Sequence, residues 1–266
     1  MGQSVFQKDL FKNKVAFVTG GGSGICMGIA RELMRHGAST AILGRKTARL
    51  AESAASLEQA TGEKCLPLTC DVRDPKAVEA ALAATLERFG RVDIVVNGAA
   101  GNFLAPAAQL SYNGFKTVLD IDTIGTFNVC RAAFDACLRD KGGVILNISA
   151  TLHYGATPLQ IHASAAKAAV DSITRTLAVE WAGLGIRVNG IAPGPIDDTE
   201  GMSRLAPGDI KERMIASIPI KRFGTIDEIA NVALFLCSDA ASLIHGTTVV
   251  ADGGAWMGMN RSLMGG

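Results

Sequence analysis

The stretch Thr19-Gly20-Gly21-Gly22-Ser23-Gly24-Ile25-Cys26 most restricts what this chain can become. An apolar run, Val15 to Val18, enters it and a helix-like stretch, Ile29 to His36, leaves it, so the order strand, tight turn, helix is expected. Residues without Cβ let a ligand approach the bare backbone, and a helix N-terminus favours negative charge. A nucleotide pyrophosphate is therefore the expected occupant. A glycine-rich surface turn is the plainer alternative, and a glycine pattern alone does not separate the two.

Short β-rich runs alternate with longer helical patterns along the rest of the chain, which is how βαβ units with a parallel sheet read. Strands are expected near Val15–Thr19, Thr40–Leu43, Cys65–Thr69, Ile94–Asn97, Gly143–Ile148, Arg187–Ile191 and Thr247–Val250. Helices are expected over Gly24–His36, Lys46–Thr61, Pro75–Phe89, Asn113–Arg139, Ile161–Trp181, Pro207–Ser217 and Ile226–Ser238. The fold class is thus α/β, a Rossmann-type doubly wound parallel sheet of about seven strands. With 266 residues and 48% hydrophobic content, the chain reads as one domain over residues 1–266. Ala192–Ala206, rich in Gly, Pro and Asp, reads as an irregular lid.

A formal net charge of +1 gives no general reason to expect nucleic acid or an acidic membrane surface as partner. Six cysteines without a C-x-x-C pair and four scattered histidines point to reduced thiols, with no metal site. Met1–Lys14 is too polar for a signal peptide, no apolar run approaches a membrane span, and the tail is not S-K-L. A cytoplasmic location is the expectation.

Ligands of a doubly wound sheet sit outside the carboxyl ends of its strands. The second strand ends Ile42-Leu43-Gly44-Arg45-Lys46, with no carboxylate for a ribose 2′-hydroxyl and with Arg45 available for a 2′-phosphate. NADP(H) is favoured over NAD(H).

Four landmarks now stand in order: the glycine loop, Asp71-Val72, Asn97-Gly98-Ala99-Ala100-Gly101 and Pro193-Gly194-Pro195-Ile196. With them the chain resembles the short-chain dehydrogenase/reductase family along nearly its whole length. The resemblance implies that Gly20, Gly22, Ser23, Gly24 and Ile25 cradle the cofactor, that Asp71 and Val72 flank adenine, and that Asn97 lines the central crevice. It also implies that Pro193, Gly194, Ile196 and Thr199 hold the nicotinamide end. Cys26 departs from the family, whose loop usually closes on Gly there.

Larger departures follow. Alcohol and ketone reductases of the family use Ser, Tyr and Lys, the last two one helical turn apart. Here Lys167 is retained, but Ala163 and Ala150 stand where Tyr and Ser would be, so the usual acid and oxyanion donor are missing. Tyr154, Ser149, Ser164 and His162 are neighbours with at most a helping part, and His153 and His162 read as loop and helix-start residues.

Asp122 stands where the family often carries Asn. With Ala163, Lys167 and Gly101-Asn102-Phe103, it makes the chain resemble the peroxisomal-type 2,4-dienoyl-CoA reductase branch. Asp71-Val72-Arg73, Phe115-Lys116-Thr117-Val118 and Val250-Ala251-Asp252-Gly253-Gly254-Ala255-Trp256 match as well. The branch implies NADPH-dependent reduction of an acyl-CoA, a 2,4-dienoyl-CoA giving a trans-3-enoyl-CoA, by a homotetramer. It implies Asp122 and Lys167 as catalytic residues, Lys167 also binding cofactor. Arg45, Arg73 and Arg204 would meet coenzyme A phosphates, and Asn102, Phe103, Ser111, Tyr112 and Asn113 would line the thioester and acyl channel. Two alternatives stay open at this point: a reductase of another enoyl or 3-oxoacyl thioester, and a silent NADP-binding protein. Asp122 could also be structural, paired with Lys167.

Overall fold

All seven strands run parallel, in the order β3-β2-β1-β4-β5-β6-β7. They are β1 (Val15–Thr19), β2 (Ser39–Gly44), β3 (Cys65–Thr69), β4 (Ile94–Asn97), β5 (Gly143–Ile148), β6 (Ile186–Pro193) and β7 (Thr248–Ala251). The chain is seen in a computed structural model that describes residues 5–197, 199 and 209–258. Strand β1 is buried at every position, as a strand covered on both faces must be, and this is why it reads as an unbroken apolar run. The strand order reverses between β1 and β4, and the crevice for a ligand opens there.

Helices α1 (Gly24–Arg35) and α2 (Thr47–Thr61) pack on one face with a later helix, Ile226–Cys237, around Ile29, Leu33, Leu57 and Leu234. Helices α3 (Pro75–Phe89), α5 (Gly125–Ala133) and α7 (Ile161–Trp181) cover the other, around Phe17, Leu82, Leu138 and Val188. Local chemistry fixes the helix ends. Asp74 accepts the Lys76 N–H at the start of α3, Pro75 occupies its first turn, and Gly90 ends it in the left-handed region. Thr225 and Glu228 form a reciprocal capping box before Ile226.

Two features differ from expectation. The region expected as one helix, Asn113–Arg139, is α4 (Tyr112–Leu119), α5 and α6 (Arg139–Lys141) joined by π-turns at Asp120–Ile124 and Phe134–Leu138. Each π-turn inserts one residue into the helical ladder, which a periodicity of 3.6 does not reveal. The expected lid begins later than Ala192: β6 runs through Pro193, and Ile196 forms a parallel bridge to Gly224.

Candidate active site

The turn after β1 is closed against the loop after β4. Gly20 has φ +69°, and a Cβ there would stand 2.7 Å from the Gly98 carbonyl oxygen, so only glycine fits. The Thr19 hydroxyl accepts the Gly98 and Ala99 N–H groups at 3.0 and 3.2 Å and locks the two loops together. Cys26 replaces the family's closing glycine without opening the packing. Its buried sulfur occupies the space left by Gly98, where a Cβ would lie 2.0 Å away. Close approach of α1 to its neighbour falls instead to Gly28, whose Cβ would meet Ile226 Cγ2 at 2.0 Å. Burial pushes the Cys26 thiol up to about 12, with the Lys167 charge acting weakly the other way.

A cavity of about 540 Å³ opens beside this turn, lined by Gly20, Gly22, Ser23, Arg45, Asp71 and Val72. Ser23 enters α1 in an extended conformation and its hydroxyl makes no capping bond. Lys46 and Arg49 share the lining, and Arg49 also donates to the Gly22 carbonyl at 3.1 Å. The glycine cradle, three cations and no carboxylate at the end of β2 fit a nicotinamide dinucleotide with a 2′-phosphate. Asp71 belongs to another partner: Arg73 donates to both its oxygens, and this hydrogen bonding first of all holds the Asp71 carboxyl below its ordinary range. Arg73 is thereby tied to the cavity wall through Asp71.

After β6, the Gly194 N–H donates to Ala251 carbonyl oxygen at 3.0 Å, and Ile196 is buried. The Thr199 hydroxyl donates to Ile196 oxygen at 3.0 Å, and its methyl faces Gly24. Thr199 is thus brought against the glycine loop. Asn97 differs from expectation: its buried side chain turns into the core, donating to Asn147 Oδ1 at 2.9 Å. Asn147 in turn donates to Thr174.

Asp122 and Lys167 meet. Asp122, 1% exposed, sits inside the first π-turn; its Oδ1 accepts the Gly101 N–H at 2.7 Å and its Oδ2 lies 3.0 Å from Lys167 Nζ. Lys167 also donates to the Ile148 carbonyl at 2.9 Å. Asp120, two residues from Asp122, faces outward and pairs with Lys116. The pair joins the loop after β4, the π-turn, α7 and the end of β5. An ammonium has three N–H donors, and these bonds use two of them.

Ala163 is buried on the same face of α7, one turn before Lys167, and presents no polar atom to the crevice. Tyr154 is no substitute acid: its hydroxyl donates to Asp171 Oδ2 at 3.4 Å, and burial, then the Asp171 charge, pushes it up to about 12. His153 Nε2 lies 2.8 Å from the same Asp171 oxygen, while Thr248 donates to Oδ1 at 3.1 Å. Asp171 stands 18 residues from His153, on α7, so only the fold brings the two together. Arg49 and Lys46 were missed, although a basic run at the start of α2 could have drawn attention to them.

On the substrate side, Asn102 donates to Gln160 Oε1 at 2.7 Å, and Phe103 stacks on His162 with ring centroids 4.2 Å apart. Ser111 caps α4 by accepting the Gly114 N–H at 3.0 Å, and Tyr112 and Asn113 are exposed beside it. Arg204 lies outside the described residues.

The sequence model of the family described as Enoyl-(Acyl carrier protein) reductase matches residues 20–255. The chain is 54% identical to the peroxisomal 2,4-dienoyl-CoA reductase [(3E)-enoyl-CoA-producing] of Rattus norvegicus, with 95% of this chain and 87% of that protein covered. It is 48% identical to the enzyme of the same name from Arabidopsis thaliana, covering 98% of this chain and 90% of that one. Among solved structures, levodione reductase superposes with a TM-score of 0.87 at 33% identity, covering 93% of this chain and 99% of that chain. The expected cytoplasmic location is corrected here: the matched reductases are named as peroxisomal, and a tail other than S-K-L does not decide the compartment.

Proposed function

The chain belongs to the short-chain dehydrogenase/reductase family, and we propose that it reduces a 2,4-dienoyl-CoA to a trans-3-enoyl-CoA with NADPH. The buried Asp122–Lys167 pair, in a crevice where Ala150 and Ala163 have replaced the carbonyl-reducing Ser and Tyr, carries this reading. NADPH, held by the glycine cradle and by Arg45, supplies hydride to the δ-carbon.

The missing tyrosine follows from the substrate. Hydride arriving at the δ-carbon sends charge through the conjugated chain to the thioester oxygen, so the proton is needed at the α-carbon rather than on an alkoxide. Asp122 is too deeply buried to touch that carbon. A water bound to the Lys167–Asp122 pair would deliver the proton, and the third Lys167 donor would anchor the nicotinamide ribose. The Gly101 N–H fixes the carboxylate. With Arg45 serving the NADPH 2′-phosphate, Arg73 is left for the coenzyme A phosphates, while Asn102, Phe103, Ser111, Tyr112 and Asn113 border the acyl channel. A homotetramer belongs to the same reading, with exposed Ile124 and Phe127 offering contact surface. Among the described residues, no helix is long and apolar enough to cross a membrane.

The test is NADPH oxidation with 2,4-hexadienoyl-CoA and with acetoacetyl-CoA. Turnover is expected with the first and little with the second. Solvent deuterium should enter at the α-carbon and cofactor deuteride at the δ-carbon; the reverse pattern ends the dienolate mechanism.

A further inference from the structure

His162 is fully buried, yet neither ring nitrogen has a hydrogen-bond partner among the described residues. Its nitrogens contribute no bond, and a buried polar group in that condition weakens a core. What His162 does contribute is a flat face: it stacks on Phe103 at 4.2 Å with 23° between the planes. Phe103 is 40% exposed, so one side of its ring is backed by the imidazole while another reaches solvent. Asn102 is bonded to Gln160, and the Ala105 N–H donates to Leu159 oxygen at 2.9 Å. The loop carrying Phe103 is thereby riveted to the segment leading into α7 on both sides of the stack. Gly114 closes the remaining side, since a Cβ there would stand 3.3 Å from Phe103 Cζ.

We propose that His162 is a positioning residue that holds Phe103 as a preset aromatic platform for the planar, conjugated part of the acyl thioester. The inference rests on the dienoyl-CoA reading and adds a determinant of specificity to it. Flat π-systems stack in offset arrangements that a non-planar saturated chain does not reproduce. A platform held in advance spares the substrate the work of ordering it. Among the described residues His162 makes no side-chain hydrogen bond to the glycine cradle or to the Asp122–Lys167 pair, so its effect should fall on substrate recognition.

Three variants separate platform from packing: His162→Phe keeps a flat ring, His162→Leu keeps bulk without one, and His162→Ala keeps neither. KM for 2,4-hexadienoyl-CoA and calorimetric Kd for the same ligand and for hexanoyl-CoA, both on the NADP⁺-loaded protein, are measured with NADPH affinity and Tm. Leu and Ala should raise KM and Kd for the dienoyl ligand five- to twenty-fold, leaving kcat, NADPH affinity and hexanoyl-CoA binding within about two-fold. Phe should stay within about three-fold of the parent in KM. Phe103→Leu combined with His162→Leu should be no worse than either alone. Leu and Phe behaving alike, or losses confined to Tm, overturn the platform. Acyl-CoA binding with no dienoyl turnover in the parent refutes the proposed reaction, while the Kd series still judges His162. Failure to bind either acyl-CoA overturns both.

Discussion

The two ends of the crevice are built by opposite means. At the adenosine end, the cradle is bare backbone, and Arg45 and Lys46 stand exposed at a strand end. At the chemical end, Asp122 and Lys167 are buried against each other and stitched into two other elements, the loop after β4 and the end of β5. An exposed cation works in water, where its contribution is modest and screened by salt. A buried ion pair is another matter: each partner is tolerated because the other is present, so removing one leaves a stranded charge. One end should thus lose affinity piecemeal, and the other should lose stability and chemistry together.

The sharpest break comes at Lys167. Lys167→Met should lower unfolding free energy by about 3–5 kcal/mol by stranding the Asp122 carboxylate, and it should abolish turnover; urea unfolding and kcat read the two effects. Near-parental stability would show that Asp122 takes up a proton or reaches water, and would erase the contrast. Asp122→Asn keeps an acceptor for the Gly101 N–H but removes the charge. Its kcat should fall on the order of 10²- to 10⁴-fold, with NADPH affinity little changed. A purely structural Asp122 would instead lower the melting temperature and leave kcat of the folded enzyme intact.

Arg45→Ala should weaken NADPH by about 1.5–3 kcal/mol, as for a charge-assisted hydrogen bond, and NADH hardly at all. Equal losses in fluorescence titrations would remove the 2′-phosphate from Arg45, leaving Lys46 and Arg49 as its seats. The smallest effect concerns acid. The Asp71 carboxyl is held low by Arg73, so its contribution is complete above the unfolded aspartate range and is lost as pH falls through the lower folded value. Arg73→Ala should remove that contribution, about 0.5 kcal/mol for so exposed a pair, seen as a slightly lower Tm at neutral pH and a shallower decline of Tm on acidification.

The same contrast explains how much of the molecule was legible in its sequence. Strand β1, its turn and α1 are written in contiguous residues, as are Pro75 and Gly90 at the two ends of α3, and the structure follows them closely. The chemical end is assembled across distance. Asp122 and Lys167 were identified through a family pattern, but their contact depends on a π-turn whose extra residue leaves no trace in helical periodicity. Asn97 was expected in the crevice and turned inward, because Asn147 on the neighbouring strand offers it a buried partner. His153 found Asp171 by the same logic of strands and helices meeting.

Cys26 and Gly98 are separate letters of the sequence but a single volume in the fold. A side chain at one position fills the room the other leaves, so the loop after β1 and the loop after β4 cannot drift independently. Gly98→Ala alone forces the thiol to turn away from its seat, whereas Gly98→Ala with Cys26→Gly returns the family's usual residue at 26 and removes the collision. What looked like a damaged motif is a filled volume. Any recombination of this chain with a relative should therefore carry both loops from the same parent.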